Sequence, residues 1–326
     1  MFFIALIALL CWSGSDLFSK IGTKQKDKLS HWKIGIAVGL VMGIHAVYEI
    51  TIGGVPFTFN DIITYLPASI LYIASMVIGY ISLRYIELSI SSPICNCSGA
   101  VALLMSIAYF GVKWVDDDSD AIFLNTAIII GVVLIVAGVV GLGFTEAFEN
   151  EETRRLRQMK SNKKYAKSIL AILLPVLYCL LDALGTFVDT LIADKYCEKL
   201  AVANPTMDEG AIDLLCGDTL NVAYEFTWAL MAIVFAIYVF GIKREKVDFK
   251  FDGAKVVGGV CETIGQVFYM MVVVSEYKVG LVIISAYCAV SLLWSRIFLK
   301  EKLSWKHYLA LATAFAGIVI LGIYDV

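Results

Sequence analysis

Residues 144–167 (FTEAFENEETRRLRQMKSNKKYAK) hold four glutamates and seven arginines and lysines, and the sequence on either side of them is a series of apolar runs. A helix that crosses the hydrocarbon of a bilayer needs ~20 mostly apolar residues. Ten segments meet that requirement: 2–21, 34–54, 62–83, 86–112 and 121–144 before the charged stretch, and 168–193, 220–242, 254–274, 279–299 and 305–324 after it. A stretch as polar as 144–167 does not sit in hydrocarbon. The chain therefore divides into a first five-helix unit (1–143), a charged linker (144–167) and a second five-helix unit (168–326). Only 17% of the residues are charged, against ~25% in an average soluble domain. The expected fold is an all-α polytopic membrane protein. The opening MFFIALIALLCWSG lacks a basic start and a small-residue cleavage site, so it reads as a retained helix.

Charge sets the expected orientation. Twenty-two of the 26 Lys and Arg residues fall at the odd-numbered connections, which the positive-inside rule places in the cytoplasm. Ten spans then leave both termini outside. The acidic stretch 116–120 and a long loop at 194–218 would also face outward. Cys197 and Cys216 share that loop, where an oxidising exterior would let them pair; two free thiols is the equal alternative.

The two units echo each other. Trp12 precedes Asp16 by four residues in span one, and Tyr178 precedes Asp182 by four in span six. That spacing puts each pair on one helix face. Arg84-Tyr85 ends span three as Glu276-Tyr277 ends span eight, and both following spans open with small and polar residues. A repeat with an odd number of spans must be inverted in the membrane, and inverted repeats with a site between them are a recurring transporter plan. A second echo, Tyr48-Glu49-Ile50-Thr51 against Tyr224-Glu225-Phe226-Thr227, falls late in span two but early in span seven and reads as chance.

The ending 281–324, with Lys300-Glu301 after the penultimate helix and Ala316-Gly317-Ile318-Val319-Ile320 near the close, resembles the last two helices of EamA-type proteins in the drug/metabolite transporter superfamily. Cys11-Trp12-Ser13-Gly14-Ser15 resembles that family's opening Trp-Gly-Ser. The resemblance spans the whole ten-helix layout. It implies export or uptake of a small metabolite by alternating access, without a cofactor, and cytoplasmic termini, which is opposite to the charge count. The first unit departs from the pattern: no Gly-Glu follows Phe110-Gly111.

Ionisable groups inside spans are costly and are functional candidates. Asp16 and Asp182 lead because their places match; bracing helix ends near water is the plainer alternative. Glu262 is the deepest acid and is expected to exchange the coupling proton, a neutral carboxyl hydrogen-bonded across helices being the plainer alternative; Gln266 lies one turn on, and Gly258, Gly259 and Gly265 permit close helix approach. Asp189, nearer its span's end, reads as a wetted rim. Pro93 precedes Asn96, which is placed to hydrogen-bond substrate if the helix is broken there. Trp12, Tyr178, Tyr269 and Tyr287 suit a cationic or ring-bearing substrate. His31 and His307 read as interfacial, and His45 as a lone histidine satisfied by a neighbour. Arg296 and Lys300 are expected to snorkel to the surface. The Cys95-Asn96-Cys97 spacing is a weak metal signal.

The candidate substrate-binding residues are thus Trp12, Asp16, Asn96, Tyr178, Asp182, Glu262, Gln266 and Tyr287. The sequence holds no phosphate-cradling Gly loop with Lys, paired-His metal motif or Ser elbow. The expected function is a gradient-driven carrier, not an enzyme, exporting a small molecule across a bacterial inner membrane. It would use a proton or ion, no cofactor and no nucleic acid. The alternative is a membrane-embedded scaffold or regulator that does not transport.

Overall fold

The computed structural model describes residues 2–23, 27–113, 122–123, 126–159, 161, 169–273, 284 and 287–323. Calls made on 116–120, 276–277 and 162–167 lie outside the described residues. The chain is almost wholly helical. In order the helices are α1 Phe2–Gly22, α2 Ser30–Tyr48, α3 Phe59–Ser82, α4 Leu88–Cys95, α5 Ser98–Phe110, α6 Thr126–Phe148, α7 Glu151–Gln158, α8 Ile169–Ala203, α9 Glu209–Ala236, α10 Phe249–Val273, α11 Tyr287–Trp294 and α12 Trp305–Ile323. A two-residue bridge joins Val112–Lys113 to Ile122–Phe123. α2, α9 and α11 each end in a wider π-helical turn, at Glu49–Gly53, Ile237–Ile242 and Ser295–Leu299. The first closes on Gly54, whose φ of 75° is one that a side chain would resist.

Seven helices, counting α4 with α5 as one, are long and apolar enough to cross a membrane, and two shorter apolar helices end the chain. α10 is as long but carries Lys255, Glu262 and Gln266 along its middle. Large apolar side chains such as Leu40, Ile44, Ile130 and Val133 are exposed on the outer surface. Such a surface suits lipid, not water, so the protein is membrane-embedded.

Helix pairing crosses the linker reciprocally. α1 packs on α10 and α3 on α8; α2 packs on α9, α6 on α12 and α4 on α11. The main core surrounds Trp228, wholly buried among Ile34, Val38, Met42 and Phe235, with its indole N–H donated to Tyr224 at 2.9 Å.

Two expectations need correction, on residues 194–218 and on His307, and two other segments are sharpened. Residues 194–218 are not a long loop: α8 runs on to Ala203 and α9 starts at Glu209. Past the apolar run, Ile192, Ala193, Tyr196, Cys197 and Leu200 still recur at helical spacing and pack against Cys216 and Leu220, so the helix continues beyond the point where hydropathy alone would end it. Span four is broken, one of the two readings that Pro93 left open. Pro93 lies inside α4, and the helix breaks three residues later at Asn96-Cys97. The charged linker is folded in its first part: α6 continues through its first residues, α7 forms, and Glu146, Glu149, Arg154 and Arg157 are buried. His307 is not interfacial but fully buried, between Ser304 Oγ at 2.7 Å and Glu146 at 3.3 Å.

These charges close one end of the bundle. Arg157 donates to Glu87 at 2.7 Å, Glu149 at 2.9 Å and the Lys302 carbonyl at 3.0 Å. Arg154 pairs with Glu146. Glu301, in the Lys300-Glu301 pair, accepts from the backbone N–H of Leu88 and Ser89 at 3.2 and 3.1 Å and so caps α4. Buried Lys20 donates to the Leu83 carbonyl at 2.6 Å and to that of Ile86, groups left open where α3 ends. Lys33 and Lys255 meet Asp27 and Asp252 beside them. The odd-numbered connections are thus gathered at one end.

Candidate functional site

A cavity of about 840 Å³ lies between the two units, within the usual size range for small-molecule sites. All eight candidate residues line it: Trp12 and Asp16 from α1, Asn96 from the α4–α5 break, Tyr178 and Asp182 from α8, Glu262 and Gln266 from α10, and Tyr287 from α11. α3 also lines it, through Tyr65, Tyr72 and Tyr80. Span seven joins them, since α9 supplies Asn221, Tyr224 and Asp213.

The close approach of the helices rests on two glycines. A Cβ on Gly265 would stand 2.4 Å from the Trp12 ring, and one on Gly79 would stand 2.7 Å from the Tyr178 ring. Each first-helix aromatic is therefore seated on a glycine of the other unit's third helix. With its ring held there, Trp12 meets Tyr269 at 5.1 Å and Tyr287 at 5.7 Å between centroids. Gly258 and Gly259 permit similar approach to Ser19 and Ala37.

One turn after each seated aromatic comes its aspartate. Asp16 accepts from Ser92 Oγ at 2.6 Å and Ser291 Oγ at 2.9 Å. Asp182 accepts from Ser75 Oγ at 3.3 Å and from Ser98. Glu262 is hydrogen-bonded by Ser15. Hydroxyls thus orient three carboxylates, and no cation pairs with them among the described residues. Asn96 is partly committed, its amide N–H donating to the Ser92 carbonyl at 3.0 Å. Its carbonyl oxygen side is the one with capacity left for a ligand.

Asp189 is more than a wetted rim. It lines the cavity and accepts from Tyr65 at 2.7 Å and Tyr72 at 3.3 Å. In all, the wall carries five carboxylates (Asp16, Asp182, Asp189, Asp213, Glu262), seven tyrosines and Trp12, and no Lys, Arg or His among its described residues. Tyr65, Tyr72 and Tyr80 were missed by sequence reasoning. Their spacings of seven and eight set them on one face of α3, and that period was the available signal.

Among the described residues, the cavity lining reaches the surface at one end. That end carries exposed Gly210 and Asp213 at the start of α9, beside the even-numbered connection. The other end stops at buried Leu83 and Leu88, under the Lys20 and Glu301 contacts. Cys197 and Cys216 line the open end and are both free thiols. No cluster able to hold a metal ion occurs among the described residues, so the Cys95-Asn96-Cys97 spacing does not build one there.

No family model and no curated protein matches this chain. Solved structures do match it. One, described only as "Crystal structure of protein", has a TM-score of 0.55 over 99% of this chain and 96% of its own length, at 12% identity. Twenty-four solved chains match in all. At that identity the likeness shows a shared fold across the full length and says nothing of activity.

Proposed function

We propose that the protein is a gradient-driven carrier that exports a small cationic metabolite by alternating access, in the manner expected of EamA-type members of the drug/metabolite transporter superfamily. The observation that carries this reading is the cavity wall: five carboxylates and eight aromatic rings with no basic residue among them. A bare carboxylate in a low-dielectric site is costly. Each such acid is best satisfied by holding a proton or by facing a cation, which is the chemistry of exchange. The aromatic faces add cation–π attraction. A scaffold would gain stability by packing these positions shut.

The architecture supports two inverted five-helix repeats. Reciprocal pairing, first helix to third, second to second, fourth to fourth and fifth to fifth, is what a two-fold axis in the membrane plane would give. The matched seats of Trp12 on Gly265 and Tyr178 on Gly79 obey the same relation. With the odd connections cytoplasmic, in a bacterial inner membrane, the cavity faces outward. In the cycle we infer, a cation leaves Glu262 for the outside and a proton replaces it. The neutral acid permits the other end to open, the proton leaves to the cytoplasm, and a new cation binds. One proton enters for each unit of positive charge exported.

Two measurements test this. A thermal-shift screen should raise the unfolding temperature with primary amines or quaternary ammonium compounds and not with sugars or anionic metabolites; stabilisation by anions alone would overturn the substrate class. Glu262→Gln keeps the shape but cannot exchange a proton. It should abolish proton-driven accumulation while keeping substrate-for-substrate exchange. Full pH-dependent accumulation by that variant would sink the coupling role.

A further inference from the structure

Outside the cavity wall, α2 and α9 bury a second set of ionisable groups. His45 is not lone. Its Nδ1 lies 2.9 and 3.0 Å from the two carboxylate oxygens of Glu225, and its Nε2 lies 3.3 Å from Glu49. The glutamates that hold it are those of the echoed Tyr-Glu pairs, 48–49 and 224–225. That echo is no sign of repeat symmetry, but its two acids meet at one imidazole.

Exposure is graded along this row. The Glu225 side chain is wholly buried, that of His45 is 22% exposed and that of Glu49 28%. Glu49 sits in the last turn before Gly54, at the end of the bundle where the cavity opens. The inner end reaches the cavity wall: Asn221 donates to Glu225, and Gln266 Nε2 donates to Asn221 Oδ1 at 3.3 Å. Asn221 and Gln266 both line the cavity. Tyr48 stacks on His45 at 6.3 Å, and Asp218 lies within electrostatic reach of Glu49. Among the described residues, His45 is the one basic group paired with either glutamate. Two carboxylates joined to the two nitrogens of one imidazole are groups that exchange protons.

We propose that His45 and Glu225 form a second proton-binding site, filled from the even-connection surface through Glu49 and sensed by the substrate cavity through Asn221 and Gln266. The transfer balances in one step. Glu49 gives a proton to Nε2 of neutral His45 as Nδ1 gives its proton to Glu225. The imidazole ends neutral in its other tautomer, Glu49 is left ionised and Glu225 is left protonated. An ionised Glu225 can only accept, so Asn221 turns its N–H toward it and offers Oδ1 to Gln266. A protonated Glu225 donates and competes for that Oδ1. Gln266 is then released toward the cavity, where it can bind substrate. The carrier reading supplies the purpose of this site; its existence as a proton site linked to Gln266 does not depend on transport.

The test is nuclear magnetic resonance of the purified full-length chain in detergent, with labelled histidine and glutamine. The chain has three histidines, and His45→Gln identifies the His45 signal by its loss. Gln266→Ala identifies the Gln266 side-chain amide. In the wild type, the two His45 ring-nitrogen signals should exchange protonated and unprotonated character with one pH midpoint as Glu225 takes up its proton, and the Gln266 amide should move with the same midpoint. Glu225→Gln, which has no carboxylate to protonate, should remove that change at both residues. Asn221→Ala should leave the His45 titration in place and remove that step from Gln266. A His45 signal that does not titrate in the wild type, or a Gln266 signal that ignores the His45 midpoint, overturns the proposal, and both are read on unmutated protein. Because no substrate enters the measurement, failure here leaves the carrier reading standing, and failure of the accumulation assay leaves this one standing.

Discussion

The two ends of the helix bundle use buried charge in opposite ways. At the odd-connection end, Arg154, Arg157, Lys20, Lys33 and Lys255 are each buried and each meets carboxylates or carbonyls. At the other end, five carboxylates face a cavity, none paired with a cation among the described residues, and hydroxyls hold four of them, Asp16, Asp182, Asp189 and Glu262. Paired charge makes a lock, because separating a buried pair leaves each partner uncompensated. On the proposed reading, acids without cations make an exchange site, because a small ligand can complete them. The same residue type thus closes one end of the protein and equips the other.

The largest test of that contrast is its sidedness. In intact cells an impermeant thiol reagent should leave Ser161→Cys, at the locked end, unlabelled above the native-cysteine background. It should label Val202→Cys, whose side of α8 is 84% exposed near the open end. The reverse pattern would turn the whole assignment over. Next in size is the lock itself. Arg157→Met strips the partner from Glu87 and Glu149 and should cost about 3–5 kcal/mol of stability in detergent. Asp182→Asn, at the open end, removes a carboxylate with no cation and should leave stability equal or higher. Equal losses in both variants would erase the distinction. A smaller effect is expected at the seats: Gly265→Ala drives a methyl into Trp12 and should cost about 1–3 kcal/mol, with Gly79→Ala behaving alike if the two units are equivalent.

The smallest effect concerns Glu87, in the corner between α3 and α4. Burial pushes its carboxyl above the ordinary glutamate range; Arg157 pulls it back, and Glu146 and Glu301 push it further up. Arg157 shows the complement: burial disfavours its charge, but Glu87, Glu149 and Glu146 outweigh that and hold it above its usual value. A carboxyl that binds its proton more tightly folded than unfolded stabilises the fold at low pH. That contribution is lost as pH rises from the ordinary value through the folded one. Glu87→Gln should flatten this slope, by less than about 1.4 kcal/mol per pH unit. An unchanged slope between pH 4 and pH 8 would assign the pH dependence to other groups.

Much of the site was legible because hydrocarbon leaves few options for polar side chains. Asp16, Asp182 and Glu262 stand out in apolar runs, and their cost there flags them before any fold is known. The four-residue spacing to Trp12 and Tyr178 carried their shared helix face. What was missed had a different character. Tyr65 and Tyr72 are ordinary residues in a span, and only the packing of α3 on α8 turns them to Asp189. His45 and Glu225 are 180 residues apart in sequence and become a pair only because α2 packs on α9.

Length, hydropathy and charge pattern by themselves determined that this chain is an all-α membrane protein with a polar stretch in its middle, because a bilayer imposes one period and one composition on whatever crosses it. Local pattern also showed which acids lie within spans and raised, without deciding, a break near Pro93. The tertiary structure decided which charges are partners. The linker's Arg157 reaches Glu87 across the bundle end, and Glu301 caps a helix that begins more than two hundred residues earlier. A charge in a sequence carries a sign but no address. Its energy is set by the dielectric and by the group it faces, and those exist only once the helices have packed.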